Sequence, residues 1–390
     1  MKILYISTSP LEYSASSNMR NVALLKGLIE NGHSIYTLTP EPQKDSNLYD
    51  ETLCNIKVEK KYYINMGKLH SAVTIKKNKS GNLKNKIKSY LYNKLKKIRV
   101  YDFRSSLAKQ KIKINERFDI IISSSDPKSS HLLAKNVIEN NIGITKKWIQ
   151  YWGDPFMDDI NDNRKLFKFF VKREEEKLIK CCDKVIYVSP FTLKKQQKLF
   201  SKYKNKMFFL PIPYNQKIVY KSKKNEQFTI GYFGNYYEKN RNIMPLYNFV
   251  SNKKDFKLRI CGGTDIKLKN CKNIFVEERQ SIKKIREYEE TSDVLVCICN
   301  SSGTQIPGKV YHYSATNKPI LVILDGEYVD ELKKYFESFK RYVICYNNEE
   351  SIENSINEIK NSKGYEPCNK LSSKNIAKKF VSEGETYESY

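Results

Sequence analysis

The segment GTQIPGKVYHYSATNKPIL, at 303–321, combines residue types that can hold a phosphate group. Pro307 predicts the start of a helix, because its φ is fixed and its missing N–H would be unpaired there anyway. The next N–H groups would point out of the positive end of the helix dipole, where an anion can sit. Gly308 lets a ligand approach the backbone, and Lys309 adds a positive charge. The segment therefore predicts a diphosphate site, or else an ordinary helix that starts at a proline.

Two further segments end predicted strands with glycines. In IGYFGNYYEKNR, Gly234 forms the turn and Arg241 follows it. A guanidinium can bind a phosphate group through two parallel hydrogen bonds; alternatively, Arg241 is a solvated loop residue. In ICGGTD, Gly262 and Gly263 permit a close approach to a base or a ribose, or they form a simple turn.

The amino-terminal half carries candidate acid–base groups. WGDPF, at 152–156, places Asp154 on a turn after a buried strand that ends at Trp152. There the carboxylate can accept the proton of a hydroxyl group or orient that group; alternatively, it only forms the turn before a proline. His131 lies on a helix predicted after Pro127 and is either a catalytic or a packed histidine.

The loop after the first predicted strand, STSPLEYSASSNMR, has serines and one arginine. Ser16 and Ser17 are candidates to cap the following helix, and Arg20 is the candidate for binding an anionic group. The DDIND run at 158–162 has carboxylates that could bind a metal ion. The cations and the helix dipole described above can, however, neutralise the predicted diphosphate without one. We therefore interpret the run as a polar loop and predict neither a metal nor a cofactor.

The chain has 390 residues, of which 40% are hydrophobic and 29% charged, with 15 Gly and 12 Pro. This composition excludes a disordered or collagenous chain, and at roughly 150 residues per domain the length predicts two domains. Nine cysteines form no C-x-x-C pair and lie mostly in apolar runs, which is typical of reduced thiols in a cytosolic protein. We expect no signal peptide, because polar residues follow MKILYIS, and no apolar run approaches the about 20 residues that span a bilayer.

Short apolar runs without strict polar alternation predict strands that are buried on both faces of parallel sheets. Five such runs occur in the first half of the chain and five in the second: 3–6, 35–38, 120–122, 148–151 and 185–188, then 228–233, 258–261, 294–298, 320–324 and 342–345. Helices are predicted between them, among them one that ends at Asn31-Gly32, one from Pro190 to about Tyr203, and others near 281–291, 307–316, 328–339 and 349–361. Two successive βαβ series predict an α/β fold of two doubly wound Rossmann-like domains facing across a cleft.

The domain boundary is predicted in PIPYNQKIVYKSKKNEQ, at 211–227, which has two prolines and a charge cluster between the two series. We therefore expect a first domain over 1–213, a second over 214–368, and a tail over 369–390 that returns to the first. Because ligands of such sheets bind at the carboxyl ends of the strands, the cleft is the expected site.

The chain is strongly basic, with 70 Lys and Arg against 43 Asp and Glu and a formal charge of +27. Such a charge favours an anionic partner, unless it only reflects an AT-rich coding sequence. Between Lys57 and Arg117 there are 19 Lys and Arg and three acidic residues. The segment 83–101 would place apolar residues on one helical face and lysines on the other, which is typical of a helix on an anionic membrane surface. Alternatively, that face packs on the sheet; a nucleic-acid partner is not expected, because no binding motif is present.

Over almost its full length the chain resembles the two-Rossmann-domain (GT-B) glycosyltransferases, and it is most similar to family 4, in the branch that builds capsule or O-antigen polysaccharide. The resemblance is carried by MKILYISTSP…NMRNVALLKGLIENGHSI, SSSDPKSSHLLAK…WIQYWGDPF, EEEKLIKCCDKVIYVSPFTLKK and GTQIPGKVYHYSATNKPILVI. It implies transfer of a sugar from a nucleoside-diphosphate donor on the second domain to a lipid-linked saccharide near the first. It also implies retention at the anomeric carbon. We expect a cytoplasmic enzyme that associates peripherally with the inner face of the plasma membrane.

By this resemblance, the donor site is formed by a set of residues in the second domain: Gly234, Asn235, Arg241, Gly262, Gly263, Arg279, Gly303, Thr304, Gln305, Pro307, Gly308, Lys309 and His312. Arg241 matches the basic residue that family members place on the β-phosphate. Thr304 and His312 stand where the family usually has two glutamates, and Asn235 stands where it often has an arginine. A neutral imidazole cannot accept two ribose hydroxyls as a carboxylate does, so the identity of the nucleotide stays open.

In the first domain, Arg20 and Trp152 are the expected acceptor contacts, and Asp154 and His131 are the expected catalytic residues. If the product were inverted instead, Asp154 would be the general base. A sugar-nucleotide epimerase built on the same paired sheets needs acid–base carboxylates on both sides of the cleft, and no convincing pair is found. The non-enzymatic alternative is a basic protein that binds lipid or nucleic acid.

Overall fold

The computed structural model describes residues 1–46, 48–53, 55–65, 99–160, 168–221, 225–362 and 364–382. Most of the predicted membrane segment 83–101 lies outside the described residues, and so does Asp162. The chain forms two compact units. The first comprises Met1–Pro211 together with the described residues from Ile376 onward, and the second comprises Ile212–Asn375.

In the described residues, the first unit is built on a parallel sheet of seven strands in the order β3-β2-β1-β4-β5-β6-β7. The strands are β1 (Lys2–Ile6), β2 (Ser34–Pro40), β3 (Lys60–Ile64), β4 (Phe118–Ser124), β5 (Thr145–Trp152), β6 (Lys184–Tyr187) and β7 (Met207–Phe209). The five strands predicted for this part of the chain are confirmed. Two edge strands, β3 and β7, were not predicted; β3 begins with two lysines, and β7 has only three residues.

Helices of the first unit cover both faces of this sheet, as its buried residues require. They are α1 (Ser16–Glu30), α2 (Ser129–Asn140), α3 (Lys168–Cys181) and α4 (Pro190–Leu199), with short 3₁₀ helices at Glu51–Leu53, Phe103–Lys109 and Ser201–Lys206. Ala15 occupies the N-cap position of α1, and no side chain caps this helix. The prediction that Ser16 or Ser17 caps it is therefore wrong. Ser189 caps α4, and the predicted continuation to Tyr203 is a separate 3₁₀ turn.

The second unit repeats the same strand order in its described residues, β10-β9-β8-β11-β12-β13, again fully parallel. The strands are β8 (Phe228–Tyr232), β9 (Phe256–Cys261), β10 (Ile274–Glu277), β11 (Val294–Ile298), β12 (Ile320–Leu324) and β13 (Val343–Tyr346). All residues of β11 and β12 are buried, as expected for central strands covered on both faces. The edge strand β10 was not predicted, and it is half exposed.

The helices of the second unit are α5 (Met244–Ser251), α6 (Ile282–Thr291), α7 (Lys309–Tyr313), α8 (Val329–Glu337) and α9 (Glu349–Asn361), followed by a 3₁₀ turn at Asn369–Leu371. The prediction of a helix of about ten residues over 307–316 is wrong, because α7 has only five residues. The chain leaves this helix to pair with another segment, since Thr316 forms a bridge with Ile218. Tertiary pairing therefore overrides local helix propensity here.

A last helix, α10 (Ser373–Val381), begins in the second unit and ends in the first. Its buried Phe380 packs edge-to-face on Tyr151 of β5, with ring centroids 5.1 Å apart. The buried Lys184 of β6 donates to the carbonyl oxygens of Phe380 and Ser382 at 3.4 and 3.1 Å. The core of the first unit thus includes residues that follow the second unit in the chain.

In both sheets the strand order reverses between two adjacent strands, β1 and β4 in the first and β8 and β11 in the second. Ligands of doubly wound sheets bind outside the carboxyl ends of the strands at this switch point. The loops that matter are therefore those that follow β1 and β4, and those that follow β8 and β11. None of the helices within the described residues has an apolar stretch long enough to cross a bilayer.

Candidate functional site

Arg241 is fixed at the switch point of the second sheet by polar contacts from two loops. Its Nε donates to Oδ1 of Asn300 at 2.7 Å, and its Nη1 donates to the carbonyl oxygen of Asn235 at 3.2 Å. Asn300 is buried, and its Nδ2 donates to the carbonyl oxygen of Gln305 at 2.8 Å. The guanidinium is therefore held in one position by the protein itself, which lowers the entropic cost of binding a ligand.

The loops after β8 and β11 are joined by hydrogen bonds. Ser301 donates from its backbone N–H to the carbonyl of Asn240 at 2.9 Å, and from its hydroxyl to the carbonyl of Lys239 at 2.6 Å. Asn300, next to this serine, aims the guanidinium of Arg241, and sequence analysis missed it. The available signal was an asparagine directly after the apolar run of a central strand, at the edge where ligands bind.

The predicted glycine pair brings a third loop against the first. A Cβ atom on Gly262 would lie far inside van der Waals contact with the carbonyl oxygen of Gly234, so this position requires glycine. Gly263 donates from its N–H to Oδ1 of Asn235 at 3.0 Å, and its carbonyl accepts the N–H of Tyr236 at 3.1 Å. Asn235, where the resemblance implies an arginine, therefore links the loops after β8 and β9.

At the carboxyl ends of the strands of the second sheet, positive charges lower the pKa values of two thiols against the effect of burial. Burial raises the pKa of Cys297, on β11, to about 11, and the charges of Arg241 and Lys309 oppose that rise. Burial also raises the pKa of Cys261, at the end of β9, while Lys309 and Arg279 act in the opposite direction. The three cations therefore lie within electrostatic reach of neighbouring strand ends. Within the described part of the chain, neither Arg241 nor Lys309 forms an ion pair with a carboxylate.

The loop after β11 carries three more of the predicted donor residues. Gly303 has a φ of +79°, in the left-handed region that favours glycine. Thr304 is buried, and the amide atoms of Gln305 are buried without a hydrogen-bond partner among the described residues. This part of the segment is thus a tight loop whose backbone, rather than its side chains, faces the Asn300 amide.

Pro307 and Gly308 precede α7, and His312 lies within it. Burial and the charge of Lys309 lower the pKa of His312 to about 3, so its imidazole is neutral. A five-residue helix has few aligned peptide dipoles. The side-chain cations, rather than the predicted helix dipole, are therefore the stronger feature for holding a phosphate at this edge.

In the first unit, Asp154 lies in the turn after β5, beside the switch point. Burial raises the pKa of its carboxyl to about 7, and the negative charge of Asp126 adds to the rise. Asp126 pairs with Lys128, whose Nζ also lies 3.3 Å from Oδ2 of Asp159. A carboxyl group that titrates near neutral pH can accept or release a proton, which is the chemistry predicted for Asp154.

Glu175, on α3, holds the turn that carries Asp154. Its carboxylate is buried and accepts the backbone N–H groups of Phe156 and Met157, one on each oxygen, at 3.0 and 2.9 Å. Sequence analysis missed this residue. The signal was present, because Glu175 stands on the apolar face of α3 with Val171 and Leu178, at positions i−4 and i+3, where a charge is costly unless it is paired.

His131 and Trp152 are packed core residues. Both side chains are fully buried, and their rings stack with centroids 4.3 Å apart. Nδ1 of His131 lies 2.8 Å from Oγ of Ser123, which also accepts the indole N–H of Trp148 at 2.8 Å. Burial lowers the pKa of His131 well below its usual range. The structure therefore places neither the predicted catalytic histidine nor the predicted acceptor tryptophan where solvent reaches it.

Arg20 is also buried, with an exposed fraction of 4%. Its guanidinium lies over the ring of Tyr151 at 4.6 Å, and Nη2 donates to Oγ of Ser124 at 3.1 Å and to the carbonyl of Ser125. A Cβ atom on Gly153 would collide with Nη1 of this arginine. Arg20 therefore ties α1 to the loops after β4 and β5, instead of presenting an open anion site.

The two described carboxylates of the DDIND run are engaged with lysines. Asp158 pairs with Lys195 at 3.2 Å, and Asp159 pairs with Lys128. Across the residues that the structure describes, no group of three or more His, Cys, Asp and Glu side chains has the arrangement of a metal site.

Comparison with known proteins defines the fold. No family model matches the sequence, and no curated protein matches it. Solved structures do: the catalytic domain of starch synthase IV from Arabidopsis thaliana, bound to ADP and acarbose, is similar with a TM-score of 0.57 at 9% identity, over 98% of this chain and 95% of that one. HepE of Anabaena in complex with UDP-glucose is similar with a TM-score of 0.53 at 11% identity, over 97% and 93% of the two chains.

A UDP-N-acetylglucosamine 2-epimerase is similar with a TM-score of 0.52 at 10% identity, over 100% of this chain and 99% of that one. At such identities the likeness concerns the fold alone. The chain has the GT-B architecture of two parallel-sheet α/β units, and the predicted fold class is confirmed in this respect. Glycosyltransferases and the epimerase share this architecture, so the choice between them depends on the site.

Proposed function

We propose that this protein is a glycosyltransferase that moves a sugar from a nucleoside-diphosphate donor to a saccharide acceptor. The observation that carries the proposal is the state of Arg241: its guanidinium is fixed by Asn300 and Asn235 at the switch point of the second sheet, and no described carboxylate pairs with it. Lys309 acts on the same strand end. A fixed cation pair without an internal anion suits a diphosphate, whose developing charge it stabilises as the glycosidic bond breaks.

The fold supports the same reading. Two of the similar structures were solved with nucleoside diphosphates or their sugars, ADP in starch synthase IV and UDP-glucose in HepE. Gly262 lets the loop after β9 pack on the loop that carries Arg241, and Gly303 allows the tight turn of the loop after β11. We propose that the donor lies against these loops, and that Asp154 in the first unit orients or deprotonates the acceptor hydroxyl.

The finer parts of the proposal concern stereochemistry and acceptor. We propose retention at the anomeric carbon, with the leaving phosphate helping to deprotonate a lipid-linked saccharide used in surface polysaccharide assembly. Arg241 and Lys309 take the charge of the phosphates in place of a metal ion. We further propose that the basic region between Lys57 and Arg117, with 19 Lys and Arg against three acids, attracts the protein to the anionic inner face of the plasma membrane.

Calorimetric titration with UDP and ADP tests the donor site. Arg241→Ala should weaken binding of the preferred nucleotide by about 1.5–3 kcal/mol, because a charge-assisted hydrogen-bond partner is lost. Lys254→Ala is the matched control, since it also removes one exposed cation from the second unit, but it stands just before β9, at the amino edge of the sheet. Affinity that is equal in Arg241→Ala and in the control would refute the donor site.

Product analysis distinguishes the remaining enzymatic alternatives. An inverted product would replace the retaining mechanism with one in which Asp154 is the general base, and Asp154→Asn would then lower kcat by about 10²–10⁴-fold. Conversion of UDP-N-acetylglucosamine to its 2-epimer in the absence of any acceptor would instead assign the protein to the epimerases.

A further inference from the structure

The turn after β5 is held by a carboxylate that makes no ion pair among the described residues. Glu175 is fully buried on α3, and each of its two oxygens accepts one backbone N–H, from Phe156 and from Met157. These amides come two and three residues after Asp154. The same stretch is also held by the N–H of Gly153, which donates to Oγ of Ser125 at 3.2 Å, by the ring of Tyr101 against Phe156, and by ion pairs farther along, Asp158 with Lys195 and Asp159 with Lys128.

A carboxylate suits this position better than any neutral side chain. Two backbone N–H donors converge on one group, and an ionised carboxylate offers a strong acceptor on each of its oxygens. A glutamine amide would present a donor to one of the two N–H groups, so one hydrogen bond would be replaced by a donor–donor contact. In a protonated carboxyl group the hydroxyl oxygen is a poorer acceptor, so one of the two hydrogen bonds is weakened.

We propose that Glu175 is a positioning residue, whose ionised carboxylate holds the turn at 153–157 in the conformation that presents Asp154 to the acceptor. The role assigned to Asp154 rests on the proposed function, whereas the hold on the turn does not. Deprotonated Glu175 makes both backbone hydrogen bonds at full strength, and protonation weakens one of them.

The surroundings of Glu175 place this change in an accessible pH range. Burial raises the pKa of Glu175 to about 7, against the two backbone hydrogen bonds and the charge of Lys128, while Asp158 adds to the rise. The charge of Glu175 in turn raises the pKa of Tyr187 on β6 and, together with the nearer Glu174, that of Tyr101, where burial is the main cause for both tyrosines. Since the acid form predominates below the pKa, the turn should loosen as the pH falls from 8 to 6.

Hydrogen–deuterium exchange of the Phe156 and Met157 amides tests the hold without any substrate. In the wild-type protein, the protection of these amides, corrected for intrinsic exchange, should fall about tenfold between pH 8 and pH 6. Glu175→Gln should show the low value at both pH values. Glu174→Gln is the matched control, because this neighbour on α3 contacts Tyr101 and Lys177 and not the turn.

Protection that is independent of pH in the wild-type protein and unchanged in Glu175→Gln would overturn the proposal. If Glu175→Gln does not fold, the exchange titration is repeated in Asp154→Asn, which removes the other carboxyl group of this turn that titrates near neutral pH; the loss of protection between pH 8 and pH 6 should persist there. Activity adds a second readout: Glu175→Gln should lower kcat about tenfold, remove one of two ionisations from the acid limb of the pH profile while that of Asp154 remains, and leave UDP affinity unchanged. If the wild-type protein did not bind UDP, the proposed function would be contradicted. The exchange experiment would still decide whether Glu175 holds the turn.

Discussion

The two switch points have the same strand order but opposite arrangements of charge. In the first unit, the buried Lys128 has its carboxylates built in, since it pairs with Asp126 and Asp159. In the second unit, Arg241 and Lys309 are surrounded by neutral acceptors and aromatic rings, and no described carboxylate pairs with either. One edge balances its charge internally, whereas the other keeps a positive charge unbalanced.

This difference separates two kinds of chemistry. Burial, with a smaller contribution from Asp126, raises the pKa of Asp154, and the balanced cluster around it has little net charge left to attract an ion. A pair of cations without a described carboxylate gains further stabilisation when an anion binds. We therefore propose that the first switch point moves a proton on a neutral hydroxyl group and that the second binds phosphates.

The largest expected effect is that of Lys128→Met on the stability of the first unit. Removal of the ammonium leaves three carboxylates, Asp126, Asp154 and Asp159, facing one another, and should lower the free energy of unfolding by about 3 kcal/mol. Tryptophan fluorescence during urea unfolding reports on this unit, because both tryptophans, 148 and 152, belong to it. Lys135→Met, which breaks only an exposed pair with Glu139, should change stability by less than about 0.5 kcal/mol. Equal losses in the two variants would remove the contrast between the switch points.

An intermediate effect is expected for Gly262→Ala. The added Cβ meets the backbone carbonyl of Gly234, which cannot move aside as a flexible side chain would, so the donor loops should be destabilised by about 2 kcal/mol. UDP titration should show a correspondingly weaker complex. Gly263→Ala is the milder comparison and should weaken UDP binding less, because its nearest contact would be a side-chain atom, Oδ1 of Asn235 at 3.2 Å, rather than a backbone carbonyl. If Gly263→Ala weakened UDP binding as much as Gly262→Ala did, packing of the glycine on Gly234 would not be the cause.

The smallest expected effect is that of Lys309→Met. Because this lysine has no described carboxylate partner, its loss should leave unfolding of the second unit unchanged while weakening UDP binding about tenfold, or ~1.4 kcal/mol. Lys334→Met, on the exposed side of α8, removes the same charge elsewhere in the unit and should bind UDP like the wild-type protein. A stability loss in Lys309→Met as large as that in Lys128→Met would show that the second edge is also internally balanced.

The sheets were predictable from the sequence because their central strands are continuous apolar runs, as in Val294–Ile298 and Ile320–Leu324. The edge strand Lys60–Ile64 was not, since its residues are mostly exposed and begin with two lysines. Its strand conformation depends on pairing with β2 rather than on its own composition.

The cations of the second unit were predictable because glycine-rich turns after strands and nearby basic residues are local patterns. The residues that position these cations were not predictable. Asn300, for example, accepts a hydrogen bond from Arg241, which lies 59 positions away in sequence. For Arg20, the local pattern gave the wrong result. An arginine that follows a strand suggests a ligand contact, but its burial against Tyr151 and Gly153 depends on elements that are distant in sequence. Glu175 likewise acts through backbone groups of another segment, and a residue pattern does not show such partners.

The position of α10 has a consequence for how the protein is made. Ile376, Ala377 and Phe380 complete the core beside β5 and β6, yet a ribosome delivers them only after the whole of the second unit. While the nascent chain grows, the apolar surface around Tyr151 stays uncovered. The second unit can therefore close its core earlier than the first, although it is synthesised later, and a chain that stopped before Phe380 would lack the ring that packs on Tyr151.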